Sequence, residues 1–197
     1  MIAVMLVAIL AGAVSAYLGW LPEQLISING TLTDWSLILL LFLIGFDIGN
    51  NKQSMKTLMS ADRFTILVPV GTILGTLFGG YMAALITSLS VKDGLAIASG
   101  FGWYSFSAVL ISQVRGSDLG AIAFLSNVFR ETITLLTVPF IVRYFGPYAA
   151  VAPGGATTMD VTLPVIEKYA GKKAAIVGFV HGVILSTLAP IFVPLFL

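Results

Sequence analysis

Two carboxylates lie inside long apolar stretches of the sequence, where a charge is costly. Glu131 is near the middle of one such stretch, beside Arg130 and four residues after Asn127. Residues four apart share a helix face, so Glu131 lies on the same face as Asn127. Adjacent residues point about 100° apart, so Glu131 need not pair with Arg130. A buried carboxylate can carry a proton or bind a cation. We therefore predict a substrate or ion site at these three residues; the alternative is that Arg130 and Glu131 form interhelical ion pairs that only fix the packing.

The second carboxylate, Asp160, lies in the sequence APGGATTMDVTLP at residues 152–164. Proline removes a backbone donor and the glycine pair weakens a helix, so the backbone near residues 153–158 is predicted to be unwound. Thr157, Thr158 and Asp160 place hydroxyls and a carboxylate at this break, as in transporter helices that coordinate a substrate or ion. The alternative is an interfacial loop in which Asp160 caps a helix.

Further polar residues are weaker candidates. Asp47, in GFDIGNN, is either another acidic site or a solvated interfacial residue. His181 is a candidate proton relay, because imidazole titrates near neutral pH, or it donates to a backbone carbonyl. Trp103, Tyr104 and Ser105 lie together in SGFGWYSFS. The Trp and Tyr ring faces could line a cation site, although Trp and Tyr are also ordinary residues of a membrane interface.

The composition identifies the solvent around these residues as lipid. The chain has 197 residues, of which 58% are hydrophobic and 10% charged, whereas soluble domains carry about 25% charged residues. This excludes a soluble enzyme or a nucleic-acid binder. The chain has one histidine and no cysteine, too few ligands for a metal centre built on those residues. It has neither HExxH nor a Walker loop, so we predict that it is not an enzyme, needs no cofactor and is not driven directly by ATP.

Charged residues divide the chain into seven hydrophobic segments, most of them long enough to cross a bilayer. They run over residues 1–22, 32–48, 64–90, 94–113, 119–142, 144–169 and 174–197. Since only short loops remain, we predict an all-α, polytopic membrane protein with about seven transmembrane segments and a broken sixth helix. Residues 1–197 then form a single transporter domain.

The basic residues predict an orientation in the cytoplasmic membrane, because short cytoplasmic loops are enriched in Lys and Arg. If all seven segments cross and the N-terminus is inside, seven basic residues are cytoplasmic: Lys52, Lys56, Arg63, Arg115, Lys168, Lys172 and Lys173. Only Lys92 and Arg143 are outside. The C-terminus is then outside. In the alternative, segment six dips into the membrane and returns, which places its three lysines outside.

Several longer motifs resemble the lysine exporter (LysO) family of bacteria and archaea, over nearly the whole chain. They are LILLLFLIGFDIGNN, ASGFGWYS, FRE, GATTMDVTLPV and VHGVILSTLAPI. The resemblance implies export of L-lysine and toxic lysine analogues, driven by a proton or sodium gradient through alternating access. The two intramembrane acidic residues important for transport in the family fall on Glu131 and Asp160. A cationic amino acid needs a carboxylate for its ammonium groups and donors for its own carboxylate.

The same resemblance implies a fold similar to sodium/proton antiporters and bile-acid symporters, in which two broken helices cross. Segment one, with AGAVSAYLG, would then be the partner of segment six. Members of the family are expected to be about a hundred residues longer at the N-terminus, so a homo-oligomer or a small membrane subunit would supply missing helices. The other functions to weigh are an inorganic cation/proton antiporter and a membrane subunit that is active only with a partner.

Overall fold

The computed structural model describes residues 63–197 continuously and, before them, residues 7, 11–12, 14–20, 22, 28, 31–32, 35–36, 39, 42 and 46. The chain divides into two compact units, Met1–Ile44 and Gly45–Leu197. In the first unit, residues 14–17 are helical and residues 18–19 form a turn. Asp47 lies outside the described residues, so its predicted role stays a prediction.

Residues 63–197 are helical throughout their regular parts, and this stretch contains no strand. One element is a 3-10 helix, Ala152–Met159. The α-helices are α1 (Arg63–Ile86), α2 (Val91–Ala98), α3 (Tyr104–Arg115), α4 (Ser117–Phe145), α5 (Leu163–Ala170) and α6 (Lys172–Phe196). For these residues the all-α prediction is confirmed.

Three helices of the described part are long and apolar enough to cross a membrane: α1, α4 and α6. The protein is thus a membrane protein, as the composition predicts. The sequence predicts five crossings over the same residues. The difference lies in segment four, predicted as a crossing helix, and segment six, predicted as a broken one; each forms two short helical pieces.

Segment four folds back on itself as a hairpin, residues 91–115, which we call the first hairpin. Nε of Arg115, the last residue of α3, lies 3.6 Å from Oδ1 of Asp93 in the first turn of α2. A continuous helix would separate these two residues by about 30 Å. The reversal occurs at residues 99–103, where Phe101 (φ 50°) and Gly102 (φ 99°) adopt left-handed conformations that end the helix.

Segment six also doubles back, over residues 152–170, which we call the second hairpin. Val151, just before the 3-10 helix, and Ile166 of α5 both lie 3.7 Å from the position that a Cβ of Gly178 would take on α6. These two residues share one hydrophobic cluster with Val138 of α4 and Ala174 of α6. Both arms of the hairpin therefore pack side by side between α4 and α6.

The contacts at the helix ends show which termini lie together. Nη2 of Arg115, at the end of α3, donates to the carbonyl of Leu197 at 2.9 Å. At the start of α1, the ring of Phe64 stacks on that of Tyr148, which follows α4, with centroids 4.2 Å apart. The unit thus has one end with residues 115 and 197, and an opposite end with residues 64 and 148.

Candidate functional site

The reversal of the first hairpin meets the 3-10 helix of the second, and this contact is the centre of the candidate site. The backbone N–H of Ala156 donates to the carbonyl of Phe101 at 2.8 Å. Gly155 has φ 62° and ψ −134°, and a Cβ there would overlap the Phe101 oxygen. Only glycine combines this backbone conformation with so close an approach. We call this contact the crossing.

Asn127 holds the first hairpin from α4. Its Oδ1 accepts from the N–H of Gly102 at 2.8 Å, and its Nδ2 donates to the carbonyl of Ala123 at 2.9 Å and to Oγ of Ser107 at 3.3 Å. The side chain is only 3% exposed. Its amide is therefore occupied by protein groups, which makes it a clamp on the turn.

Arg130, one helical turn further along α4, holds the second hairpin. Its Nε donates to the carbonyl of Pro153 at 2.8 Å, and its Nη2 to that of Ala152 at 3.4 Å. Its Nη1 donates to Oγ1 of Thr76 on α1 at 3.2 Å. Within residues 63–197, no carboxylate forms an ion pair with Arg130.

Glu131 is the polar residue of α4 whose hydrogen bonds are not satisfied. Its side chain is 7% exposed, and no group of the described residues donates to its buried Oε2. The carboxyl groups of Glu131 and Asp160 interact electrostatically with each other and with Tyr104. The structure therefore brings together the two predicted carboxylates and one of the predicted aromatic residues.

The remaining candidates lie near the turns of the two hairpins. Asp160 is exposed at the turn of the second hairpin, just after the 3-10 helix. Trp103, Tyr104 and Ser105 are partly buried where α3 begins. The Trp103 ring packs on Phe106 with centroids 4.8 Å apart.

The threonines of the second hairpin bond their own backbone and His181. Thr157 donates to the carbonyl of Gly154 and Thr158 to that of Gly155, both at 2.8 Å. Nδ1 of His181 lies 2.9 Å from Oγ1 of Thr158, and its Nε2 lies 2.9 Å from Oγ1 of Thr72 on α1. His181 is completely buried, and the backbone of Gly155 interacts with its ring in addition to the two hydroxyls.

Thr72 and Thr76 of α1 belong to this arrangement, although sequence reasoning did not select them. Thr72 reaches His181 and Thr76 reaches Arg130. Their spacing is a sequence feature that indicates a shared polar face, because the two threonines are four residues apart on α1. In the sequence they read as ordinary polar residues of a glycine-rich apolar helix.

Comparisons with known proteins agree on one family. The family model for the lysine exporter LysO matches residues 6–197. The "Lysine exporter LysO" of Escherichia coli is 38% identical over 164 residues, which are 83% of this chain and 54% of that protein. The chain thus spans about half the length of this relative.

A second relative has nearly the same length as this chain. The "Putative lysine exporter" of Haemophilus influenzae is 31% identical over 192 residues, which are 98% of this chain and 96% of that protein. The expectation of longer relatives therefore holds for the first protein and not for the second. No solved structure matches. Because the family model covers almost the whole sequence, the chain belongs to the lysine exporter LysO family.

Proposed function

We propose that this protein exports L-lysine across the cytoplasmic membrane by alternating access, and that Glu131 and Asp160 are its cation sites. The observation that carries the proposal is the buried Oε2 of Glu131, which lacks a donor among the described residues and lies in the field of Asp160. An ionised carboxylate at mid-membrane costs about 2.5–3.5 kcal/mol on insertion scales, so a ligand that neutralises it is strongly favoured. An ammonium group or a coupling ion would do so. The names of both relatives support lysine as the substrate.

The crossing supports the transport mechanism. Residues 99–102 of the first hairpin and 154–158 of the second are buried in protein, a setting in which irregular backbone is stable at membrane depth. We propose that the two hairpins act as a pair of broken helices and that the carboxylates between them alternate between the two sides of the membrane. A proton or sodium ion would drive the cycle and toxic lysine analogues would use the same route.

The first experiment measures efflux of labelled L-lysine from proteoliposomes under an imposed pH or sodium gradient. Glu131→Gln and Asp160→Asn should abolish efflux while the protein remains folded, because each removes one negative charge from the cation site. Asp118→Asn and Glu167→Gln are matched controls, because both carboxylates are exposed and lie in α4 and α5. If both site variants export lysine at the wild-type rate, the assignment of Glu131 and Asp160 as cation sites is wrong.

The alternatives give different results in the same vesicles. An inorganic cation/proton antiporter would move protons against an added cation without any lysine flux. A subunit that needs a partner would show neither activity alone. We also propose a homo-oligomer or a small membrane subunit as the active assembly; a purified chain that transports lysine as a monomer, measured by light scattering, would contradict this.

A further inference from the structure

A groove runs along α1 on the Arg130 side of α4. It has a volume of about 470 Å³, large enough for a small organic ligand. Its lining includes Gly71, Gly75, Thr76, Arg130, Ala152 and Pro153. Within the described residues nothing approaches the positions that Cβ atoms of Gly71 and Gly75 would take, which keeps one wall of the groove open. We call it the arginine groove.

The polar groups of this groove that have no partner among the described residues are donors. A guanidinium has five N–H groups, and Arg130 uses three of them on Pro153, Ala152 and Thr76, which leaves two without an acceptor among the residues that the structure describes. Thr76 accepts from Arg130, and its own proton has no acceptor in the part of the chain that the structure describes. Other membrane-helix threonines donate to the carbonyl four residues earlier: Thr72, Thr132, Thr134 and Thr137.

Within the described residues, no anion compensates the charge of Arg130. Its partners in the described structure are two carbonyls and a hydroxyl, all of them neutral. A desolvated guanidinium without an anion is unfavourable, and it becomes favourable when a carboxylate is bound with good geometry. A groove with one cation, a free hydroxyl proton and no described acid therefore fits an acceptor-only anion.

We infer that the arginine groove binds the carboxylate of the exported amino acid through Arg130 and Thr76. The inference rests on the proposed function, in which Glu131 and Asp160 bind the cationic part of the substrate. Arg130 and Glu131 are adjacent on α4 and point in directions about 100° apart, so one helix presents a donor face and an acceptor face. Carboxylate recognition by a fixed guanidinium is charge-assisted and directional. The site would thus select amino acids over simple diamines.

The test compares L-lysine with 1,5-diaminopentane, which is lysine without its carboxylate. Binding to the purified, full-length chain is measured by titration calorimetry, with competition for the weaker ligand. Thr76→Val removes the hydroxyl at nearly constant volume and should weaken lysine binding about tenfold, the effect of one lost charge-assisted hydrogen bond. Binding of 1,5-diaminopentane should not change. Thr132→Val is the control, because that exposed hydroxyl bonds only its own helix.

Arg130→Lys provides a second variant that keeps the charge but cannot form the paired N–H contacts of a guanidinium. This variant should also weaken the binding of lysine more than the binding of 1,5-diaminopentane. Equal losses for both ligands in both variants would overturn the carboxylate site and leave the proposed function intact. If the wild type binds no lysine, the proposed function itself fails.

Asp47, outside the described residues, is the alternative anion for Arg130. If it fills this role, Asp47→Asn should free Arg130 for an added carboxylate, so binding of lysine should strengthen relative to binding of 1,5-diaminopentane. That result would overturn the inference. Equal discrimination between lysine and 1,5-diaminopentane by Asp47→Asn and by the wild type supports it.

Discussion

Three neighbouring polar residues of α4 have different hydrogen-bond environments in the structure. The side-chain amide of Asn127 forms hydrogen bonds with protein groups, and Arg130 donates to a backbone carbonyl of the second hairpin. Glu131, one residue later, has a buried oxygen with no described partner. The cost of a buried charge identifies Glu131 from sequence alone. It does not distinguish a ligand from a clamp, because that depends on which backbone groups come within reach.

We expect Asn127→Ala to destabilise the protein through the turn of the first hairpin. The change leaves the N–H of Gly102 without its acceptor inside the protein, and each buried group left unsatisfied costs about 1–3 kcal/mol. Thermal unfolding of the purified protein should show a midpoint lowered by several degrees. Ser126→Ala, at an exposed neighbouring position, should leave the midpoint unchanged. Equal midpoints for the two variants would mean that Asn127 is not a clamp.

At the scale of the elements, the crossing depends on a glycine. Gly155→Ala should disrupt it, because the new Cβ would overlap the carbonyl of Phe101 and the residue has φ 62°. We expect loss of efflux together with a lower unfolding temperature. Gly79→Ala is the matched control on α1, where no described atom lies within 4 Å of the new Cβ. A fully active and stable Gly155→Ala protein would show that the hairpins do not meet as described.

His181 connects three elements through two hydroxyls. Thr72 and Thr158 also donate to the carbonyls of Val68 and Gly155, and each hydroxyl has one proton. A neutral imidazole donates from one nitrogen and accepts at the other, so one threonine must turn its proton towards the ring. The ring thereby ties α1 to the 3-10 helix in a way that depends on both hydroxyls.

Removing either hydroxyl should weaken this tie. Thr72→Val and Thr158→Val each remove the hydroxyl partner of a buried ring nitrogen, which we expect to cost about 1–3 kcal/mol and, in a chain of this length, about 2–4 °C in the unfolding midpoint per kcal/mol. Each threonine variant is then combined with His181→Ala in a double-mutant cycle. The losses of stability in the two single variants should not add up in the combined variant. Thr187→Val on α6, an exposed hydroxyl bonded to its own helix, is the control. Additive losses would contradict the bridge.

The sequence predicts the irregular stretch of the second hairpin better than the reversal of the first, for physical reasons. Pro153 and the pair Gly154–Gly155 mark the irregular stretch, because these residue types disfavour a helix wherever they occur. The fold-back of segment four leaves a fainter signal. Its reversal depends on Phe101 in a left-handed conformation and on Asn127, 26 positions later, accepting from Gly102. Both are tertiary effects, and the hydropathy of residues 94–113 is the same for a hairpin as for a crossing helix.

At the scale of the whole molecule, the two hairpins change which basic residues share a side of the membrane. Residues 92 and 115 lie at the end that also contains the C-terminus. The opposite end carries more basic residues, namely Arg63, Arg143, Lys168, Lys172 and Lys173. The positive-inside rule therefore still favours a cytoplasmic position for the start of α1 and an outer position for Leu197. Arg115 and Arg143 exchange sides relative to seven full crossings.

Single-cysteine labelling tests this arrangement directly, because the chain contains no cysteine of its own. An impermeant maleimide applied to intact cells should label both Lys92→Cys and Ser117→Cys, which flank the first hairpin. It should not label Tyr144→Cys or Lys172→Cys, which flank the second, until the cells are opened. Seven full crossings predict the opposite results for Ser117 and Tyr144. Labelling of Tyr144→Cys but not Ser117→Cys in intact cells would therefore refute the hairpins, while all four proteins labelling equally after lysis verifies that each thiol is reactive.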